Sequence, residues 1–123
     1  MFPHGMLTFT GEQTPHEVAQ WMQQSDCFVL FSNYENAPVV LSECLATGLP
    51  IISSRAGGIP EMVTDTDGQL VNTQNERQLT NAMLWMMELV SQYPPQPIRE
   101  HGRKYSYAAV GKQLVELYQK VMA

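Results

Sequence analysis

The sequence has few basic residues and no dense basic cluster. Lysine and arginine number 7 against 12 acidic side chains in 123 residues, and the closest basic grouping consists of Arg99, Arg103 and Lys104. Proteins that bind nucleic acid need a concentrated basic surface, because they must neutralise several phosphates at once. The composition therefore predicts no nucleic-acid partner.

Long apolar runs and targeting signals are missing as well. No apolar run in the sequence reaches the roughly 18 residues that cross a bilayer. Residues 1–6 have neither the basic nor the apolar region of a signal peptide. We therefore expect a cytoplasmic protein without a membrane span. The length fits one domain, residues 1–123, with a single core.

Cysteine and histidine are too sparse and scattered to predict a redox or metal centre. Cys27 and Cys44 lie in apolar stretches away from any CxxC spacing, and the three histidines are His4, His16 and His101. We expect both thiols to be reduced and buried. We expect no metal and no other cofactor.

Helix and strand signals alternate along the chain, which is typical of α/β proteins. Short strands are predicted at residues 7–10, 27–31, 51–53 and 68–71, and helices at residues 15–24, 38–47 and, as a single turn, 59–63. The first helix is expected to bury Val18, Trp21 and Met22. The run at 27–31 is continuously apolar, as expected of a central parallel strand covered on both faces. The predicted fold is a Rossmann-like parallel sheet of three to four short strands flanked by helices.

The second half of the chain changes to a helical period. Apolar residues recur at spacings of three and four from Leu79 to Tyr93, which favours core packing over a cofactor site built from methionines. The prolines that follow end this helix. A closing helix is predicted at residues 107–122, with an apolar face formed by Tyr107, Val110, Leu114, Leu117 and Val121.

Glu43 is the only charged residue between Asn36 and Ser54. A helix that is apolar nearly all round is expected to be buried, and an ionised carboxylate there is costly unless donors satisfy it. Two interpretations stay open. Either the helix is rotated so that Glu43 meets water or an arginine, or Glu43 accepts hydrogen bonds from the hydroxyls of a ligand.

Glu35 lies in the loop that leaves the predicted central strand, and ligands bind at this end of open α/β sheets. Glu43 lies about five residues beyond the helix start at Pro38, roughly 7–8 Å along the axis. The two carboxylates therefore bracket a helix N-terminus, where free N–H groups and the positive dipole end favour a phosphate. The pattern fits a sugar, a diphosphate and a ribose in that order.

The loop after the following strand contains Gly57 and Gly58, which permit positive φ and close backbone approach to a ligand. A simple turn explains the two glycines equally well. Glu61, in the helical turn that follows, is expected to be a surface acid that stabilises the helix dipole.

The sequence resembles the family 4 (group 1) retaining glycosyltransferases. The similarity is carried by Ser32-Asn33-Tyr34-Glu35, by Glu43 with seven residues between the two glutamates, by Ala46-Thr47-Gly48-Leu49-Pro50 and by Gly57-Gly58-Ile59-Pro60-Glu61. The motifs occur together and in order, which makes the resemblance specific. It extends over nearly the whole chain.

The resemblance implies the nucleotide-sugar-binding, C-terminal part of a GT-B enzyme that acts with retention and without a metal. In that family the first glutamate, here Glu35, contacts the donor sugar and is the catalytic candidate, whereas the second, here Glu43, binds the ribose hydroxyls. The remaining donor-binding positions carried over are Asn36, Ala37, Val39, Gly57 and Gly58. Gly11, Glu12 and Gln13 are expected to form a loop that borders the base.

The chain also departs from the family pattern. Asn36-Ala37-Pro38 stands where the family usually has Pro-Phe-Gly, so the family's contacts do not transfer directly to this loop. We expect residues 1–123 to form a single C-terminal donor-binding domain that lacks its first strands and the N-terminal acceptor domain. A full-length enzyme of this kind would act in the cytoplasm, with peripheral attachment at the inner membrane face.

The leading hypothesis is the donor-binding part of a glycosyltransferase that transfers a sugar from a nucleotide diphosphate sugar to a glycan or lipid-linked acceptor. The acceptor would be bound by the missing N-terminal domain. The alternative is a non-catalytic nucleotide-binding or self-associating module that uses an exposed sheet edge. A nucleotide-sugar epimerase of related architecture fits the motif between the two glutamate-containing segments less well.

Overall fold

A computed structural model describes residues 5–122 of the chain. Three strands and six α-helices follow one another, with two short 3-10 turns at Val90–Gln92 and Arg103–Tyr105. The elements are α1 (Pro15–Gln24), β1 (Phe28–Leu30), α2 (Val39–Thr47), β2 (Ile51–Ser54), α3 (Ile59–Met62), β3 (Gly68–Val71), α4 (Glu76–Leu89), α5 (Pro95–Gly102) and α6 (Tyr107–Met122).

The three strands form one parallel sheet in the order β1-β2-β3. Val29 pairs with Ile52, and Ile52 pairs with Gln69. The chain therefore contains a βαβ unit, β1-α2-β2, as the alternation of signals predicts. The three-stranded parallel sheet flanked by helices confirms the predicted fold class.

Two strand predictions are wrong. Residues 7–10 are not a strand, and Phe9 is 92% exposed. A β-prone stretch forms a strand only where it finds a pairing and packing partner, and residues 7–10 have neither within the described part of the chain, 5–122. The strand predicted at the centre of the sheet, β1, lies at its edge, with Val29 39% exposed, whereas β2 is central and buried at all four positions.

Side chains of β2 alternate between two apolar clusters on opposite faces of the sheet. Ile51 joins the larger cluster with Leu41 and Leu45 of α2 and Ile98 of α5. Ile52 joins the smaller one with Val71, Ala82 and Met86. The core therefore fixes α2 and α5 on one face of the sheet and α4 on the other.

The first helix begins as its sequence predicts. Thr14 and Glu17 form a reciprocal capping box around the start of α1, with Pro15 in its first turn. Met22 is buried and Val18 is half-buried, but Trp21 is 47% exposed, which contradicts its predicted burial. The Trp21 indole instead donates to the Gln13 side chain at 3.1 Å.

The last helices differ from the prediction in one element and match it in another. Pro95–Gly102 is a helix, α5, that the sequence reading did not include. The closing helix α6 has the predicted bounds, and none of its side chains is buried. Within residues 5–122, no helix combines the length and apolarity that crossing a membrane requires.

Candidate functional site

The loops that follow β1 and β2 lie side by side at one rim of the sheet. Both strands are parallel, so their carboxyl ends face the same edge. The two loops are joined directly, because the Gly58 N–H donates to the Asn36 carbonyl oxygen at 2.8 Å. The predicted site residues from Glu35 to Val39 and the glycine pair are therefore neighbours.

Helix α2 points its N-terminus at this rim. Pro38 is the N-cap residue, with φ −65° and ψ 122°, and within residues 5–122 no side chain caps the helix there. The opposite end closes at Gly48, whose φ of 79° gives the left-handed cap that the sequence predicts. The uncapped N–H groups and the dipole make the N-terminal end of α2 the favourable end for an anion.

Glu43 is exposed, so the expectation of a carboxylate on a buried helix is wrong. Leu41, Cys44 and Leu45 form the buried face of α2. At about 100° per residue, Glu43 lies on the opposite side of the helix from Leu41 and Leu45. The first of the two open interpretations, a helix rotated to bring Glu43 to water, is the observed one. The position of Glu43 on this solvent-facing side leaves its carboxylate free to accept from a ligand.

Glu35 is half-buried in the loop between β1 and α2. Its Oε1 atom accepts a hydrogen bond from the Ser32 hydroxyl at 2.9 Å. Within residues 5–122 no ion pair involves this carboxylate. Glu35 is thus held by a neutral hydroxyl rather than neutralised by a cation.

Gly57 and Gly58 approach the protein backbone closely. Gly57 has φ +53°, and a Cβ atom there would lie 1.4 Å from the Glu35 carbonyl oxygen. A Cβ on Gly58 would lie 2.3 Å from the Asn36 carbonyl oxygen. The close approach that the glycine pair predicts is therefore made to the Glu35–Asn36 backbone.

A groove of about 440 Å³ opens beside these loops. Its lining comprises Asn36, Ala37, Val39, Ser42, Gly58, Glu61, Met62 and Tyr105. A larger groove of about 810 Å³ adjoins it along α2, shares Val39, Ser42 and Tyr105, and includes Glu43, Arg99 and Arg103. The two grooves form a continuous surface from the α2 N-terminus past Glu43, which we call the α2 groove.

The α2 groove brings together five of the predicted donor-binding residues and leaves the others outside. The five are Asn36, Ala37, Val39, Gly58 and Glu43, whereas Glu35, Gly57, Gly11, Glu12 and Gln13 are not among its lining residues. Glu35 and Gly57 lie in the adjoining loops. The loop from Gly11 to Gln13 is held by local bonds, with the Gln13 amide donating to the Thr10 carbonyl at 3.1 Å.

The sequence reading missed the far wall of the α2 groove. Arg99 of α5 and Arg103 and Tyr105 of the following turn line it opposite α2. The Arg99 Nε atom donates to the Thr47 carbonyl oxygen at 3.2 Å, which ties α5 to the end of α2. No motif spacing links residues so far apart in the chain, and the only local signal was the small basic group at 99–104.

A buried hydrogen-bonded carboxylate holds α5 in place behind this wall. Asp67 is fully buried, and its Oδ2 atom accepts from His101 Nδ1 at 2.6 Å and from the Thr64 N–H at 2.8 Å. Within residues 5–122 its Oδ1 atom has no hydrogen-bond partner. Because His101 belongs to α5 and Asp67 precedes β3, the pair links the groove wall to the sheet.

The cysteines take no part in the α2 groove. Both thiols are free, Cys44 is buried and Cys27 is half-buried. Burial raises the pKa of the Cys27 thiol to about 11 and that of Cys44 to about 12. Within residues 5–122 no three histidine, cysteine, aspartate or glutamate side chains converge in a way that could hold a metal ion.

A family model described as glycosyl transferases group 1 matches residues 3–105. The match covers most of the chain and includes every motif of the site. The chain belongs to this family. Its three-stranded parallel sheet and flanking helices match the C-terminal domain of the GT-B fold.

Two curated relatives illustrate the range of the group 1 family. The chain is 29% identical over 122 residues to a D-inositol 3-phosphate glycosyltransferase of Corynebacterium urealyticum, covering 94% of this chain and 28% of that protein. It is 34% identical over 76 residues to a Vi polysaccharide biosynthesis protein of Salmonella typhi, covering 61% of this chain and 13% of that protein. The chain thus spans less than a third of the length of either relative.

Solved structures share the fold of this group 1 domain. Sucrose-phosphate synthase from Thermosynechococcus elongatus superposes with a TM-score of 0.83 at 25% identity, over 94% of this chain and 30% of that one. HepE of Anabaena, solved in complex with UDP, gives a TM-score of 0.71 at 20% identity, over 82% and 29% of the two chains. The latter likeness shows the fold alone.

Proposed function

We propose that this group 1 domain is the donor-binding part of a retaining glycosyltransferase that uses a nucleotide diphosphate sugar. The observation that carries the proposal is the α2 groove, which joins an uncapped helix N-terminus to the Glu43 carboxylate. The helix N-terminus favours an anion, and the Glu43 carboxylate favours a ligand with hydroxyl donors. A nucleoside diphosphate presents both, as a diphosphate joined to a ribose.

The proposed roles follow the motif residues. Glu43 accepts from the ribose hydroxyls, and the backbone N–H groups of Asn36, Ala37 and Val39 face the diphosphate and sugar. Pro38 has no N–H to donate. Glu35 accepts from the sugar hydroxyls and is the catalytic candidate, and the loop from Gly11 to Gln13 borders the base.

The glycine pair has a supporting role in this proposal. The Gly58 N–H is bonded to the Asn36 carbonyl, and the Gly57 Cα supports the Glu35 carbonyl. Gly58 therefore borders the donor, whereas Gly57 acts through the loop that it contacts. Neither glycine needs to donate to the ligand.

We further propose that the chain alone does not turn over a donor. Stabilising a leaving diphosphate requires preorganised cations, and transfer requires a positioned acceptor. The smaller part of the α2 groove, at the helix N-terminus, is lined by Glu61 and by no lysine or arginine among residues 5–122. The glycan or lipid-linked acceptor would be bound by an N-terminal domain, and the cations would come from the loops of additional strands.

Titration of the chain with nucleoside diphosphates tests this proposal. We expect weak, saturable binding of UDP, ADP or GDP, and loss of most of that affinity in Glu43→Ala. Glu88→Ala, which removes an exposed carboxylate of α4, is the matched control and should bind as the parent does. Equal affinity of the Glu43→Ala variant and the parent would refute the assignment of Glu43 to the ribose.

A second candidate function, a non-catalytic nucleotide-binding or self-associating module, is favoured by the open edge of β1. This strand pairs only with β2 among residues 5–122, and unpaired strand edges recruit partners. Size-exclusion chromatography distinguishes the two. A discrete, tight oligomer that binds no nucleotide supports the module, and a monomer that binds nucleotide supports the donor-binding domain.

A further inference from the structure

Among residues 5–122, a single side-chain hydrogen bond orients the Glu35 carboxylate. The Ser32 hydroxyl donates to Oε1 at 2.9 Å, and within residues 5–122 no hydrogen bond reaches Oε2. A glutamate side chain in a loop otherwise samples several rotamers, at a cost in entropy when a ligand fixes one. The Ser32 bond selects one orientation and leaves Oε2 available for a ligand hydroxyl.

Ser32 is in turn fixed by a buried hydroxyl of the central strand. Ser54, the last residue of β2, is 0% exposed, and its hydroxyl donates to the Ser32 carbonyl oxygen across 22 residues of sequence. A buried hydroxyl stays in such a place only when it is hydrogen-bonded, because its desolvation is costly. Ser54 thus ties the backbone of Ser32 to the rigid sheet.

The other end of the same loop is tied by the glycine pair. Gly58 N–H donates to the Asn36 carbonyl at 2.8 Å, and the Glu35 carbonyl lies against the Gly57 Cα. Both ends of the segment from Ser32 to Asn36 are therefore fastened to residues 54–58. Glu35 projects from a loop that is held at two points.

We propose that Ser32 and Ser54 are positioning residues that present the Glu35 carboxylate to the hydroxyls of the donor sugar. This inference rests on the proposed donor-binding function and extends it to two serines that contact no nucleotide. Ser54 acts on Ser32 through the main chain, and Ser32 acts on Glu35 through its hydroxyl. The two serines therefore affect recognition of the sugar more strongly than recognition of the nucleoside diphosphate, which also depends on Ala37, Val39 and Glu43.

The chain offers a close control for Ser54. Ser53 precedes it on the same strand, is also 0% exposed, and directs its hydroxyl to the Ser54 carbonyl at 3.3 Å. Ser53→Ala removes an equally buried hydroxyl without touching the 32–36 loop. For Ser32, the control is Ser32→Thr, which retains a hydroxyl able to donate to Glu35.

The first experiment measures affinity for UDP, ADP and GDP and for the corresponding nucleoside diphosphate glucoses, by calorimetric titration of the full chain. The comparison uses the nucleoside diphosphate, and its glucose derivative, that the parent binds most tightly. Ser32→Ala and Ser54→Ala should weaken binding of the glucose derivative about five- to tenfold, the usual consequence of losing one hydrogen bond. Affinity for the bare diphosphate should stay within twofold of the parent in Ser32→Ala, and in Ser54→Ala it should fall by less than the affinity for the sugar nucleotide, because the 32–36 loop also contains Asn36. Ser32→Thr and Ser53→Ala should match the parent on both ligands.

The second experiment needs no ligand. Amide hydrogen exchange of the Gly58 N–H reports whether the 32–36 loop is still fastened, because that N–H is bonded to Asn36. Ser54→Ala should speed this exchange by up to about tenfold, because the 32–36 loop then loses one of its two attachments and opens more easily. Ser53→Ala should leave it unchanged.

The outcomes separate the inference from the proposed function. If the parent binds neither ligand class, the donor-binding function fails, and the exchange rates still decide whether Ser54 holds the loop. If the parent binds both, equal losses on the sugar nucleotide and the bare diphosphate overturn the positioning role, because they indicate general damage to the fold. Unchanged sugar-nucleotide affinity in both alanine variants overturns it too.

Discussion

At the residue scale, Gly57 shows how strongly one position can constrain the site. Its φ of +53° favours glycine, and the Glu35 carbonyl oxygen occupies the place of a Cβ atom at 1.4 Å. Any side chain there must displace the loop that contains Glu35, or distort the β2–α3 connection. The glycine is needed for contact between two protein segments.

We predict that Gly57→Ala lowers the free energy of unfolding by about 2–4 kcal/mol, because it adds a backbone clash to a left-handed conformation. Gly11→Ala is the matched control. Gly11 has φ +67°, and among the described residues no neighbouring atom lies within 4 Å of its Cβ position. The Gly11→Ala substitution therefore adds only the cost of the left-handed conformation, which lowers the free energy of unfolding by about 1 kcal/mol. Urea unfolding of both variants checks the difference, and equal losses would show that the clash with Glu35 is absent.

Both thiols should react slowly in the folded chain. Burial raises their pKa values from 9.0 to about 11 and about 12, so little thiolate is present near neutral pH. Iodoacetamide should alkylate the native chain much more slowly than the chain in denaturing guanidinium chloride, with Cys44 slower than Cys27. Rapid native alkylation of Cys44 would contradict its burial.

The raised pKa values of the two thiols also predict that the folded state loses stability at high pH. Because each folded-state pKa lies above the ordinary value of 9.0, the unfolded chain loses these protons first as pH rises. The stability linked to these thiols is therefore fully present below pH 9 and falls as pH approaches 11 to 12.

The sequence predicts which element contains each site residue, because local spacing determines that. It does not predict which side of a helix faces the core. The interval between Glu35 and Glu43 correctly puts one glutamate in the loop and the other on α2. The hydropathy of α2 suggested a helix buried all round, yet Glu43 faces solvent. Composition does not say which side of a short apolar helix meets the sheet, because only its neighbours determine that.

At the element scale, local chemistry predicts helix ends better than it predicts strands. Thr14 and Gly48 cap α1 and α2 as expected, since a cap depends on residues a few positions away. Residues 7–10 show the reverse, because a strand requires a partner that their own sequence does not specify. Helix α5 was missed because its prolines end the preceding helix and equally suit the first turn of a new one.

The link between α5 and the turn before β3 depends on Asp67. We predict that Asp67→Ala lowers the free energy of unfolding by about 3 kcal/mol, because His101 and Thr64 both lose a buried carboxylate acceptor. Asp65→Ala, two positions earlier and exposed, should change it by less than about 0.5 kcal/mol. Chemical denaturation measures both, and a similar small loss in the two variants would mean that the pair does not fasten α5.

At the scale of the whole molecule, the described chain leaves two apolar features uncovered. Every side chain of α6 has some exposure, including Tyr107 at 99% and Val121 at 74%. The edge of β1 is open as well, beside an apolar groove lined by Cys27, Val29 and Met83. The relatives are more than three times as long as the segment that they share with this chain, so such surfaces are expected of a domain that packs against further protein.

The most direct test of the account is to map nucleotide binding over the whole chain by amide chemical shifts. On addition of the nucleoside diphosphate glucose that binds best, we predict saturable shifts at Asn36, Ala37, Val39 and Glu43. The apolar groove beside β1 should remain unaffected. Shifts confined to that apolar groove, or no saturable shift at the α2 N-terminus, would contradict the assignment of the α2 groove as the donor site.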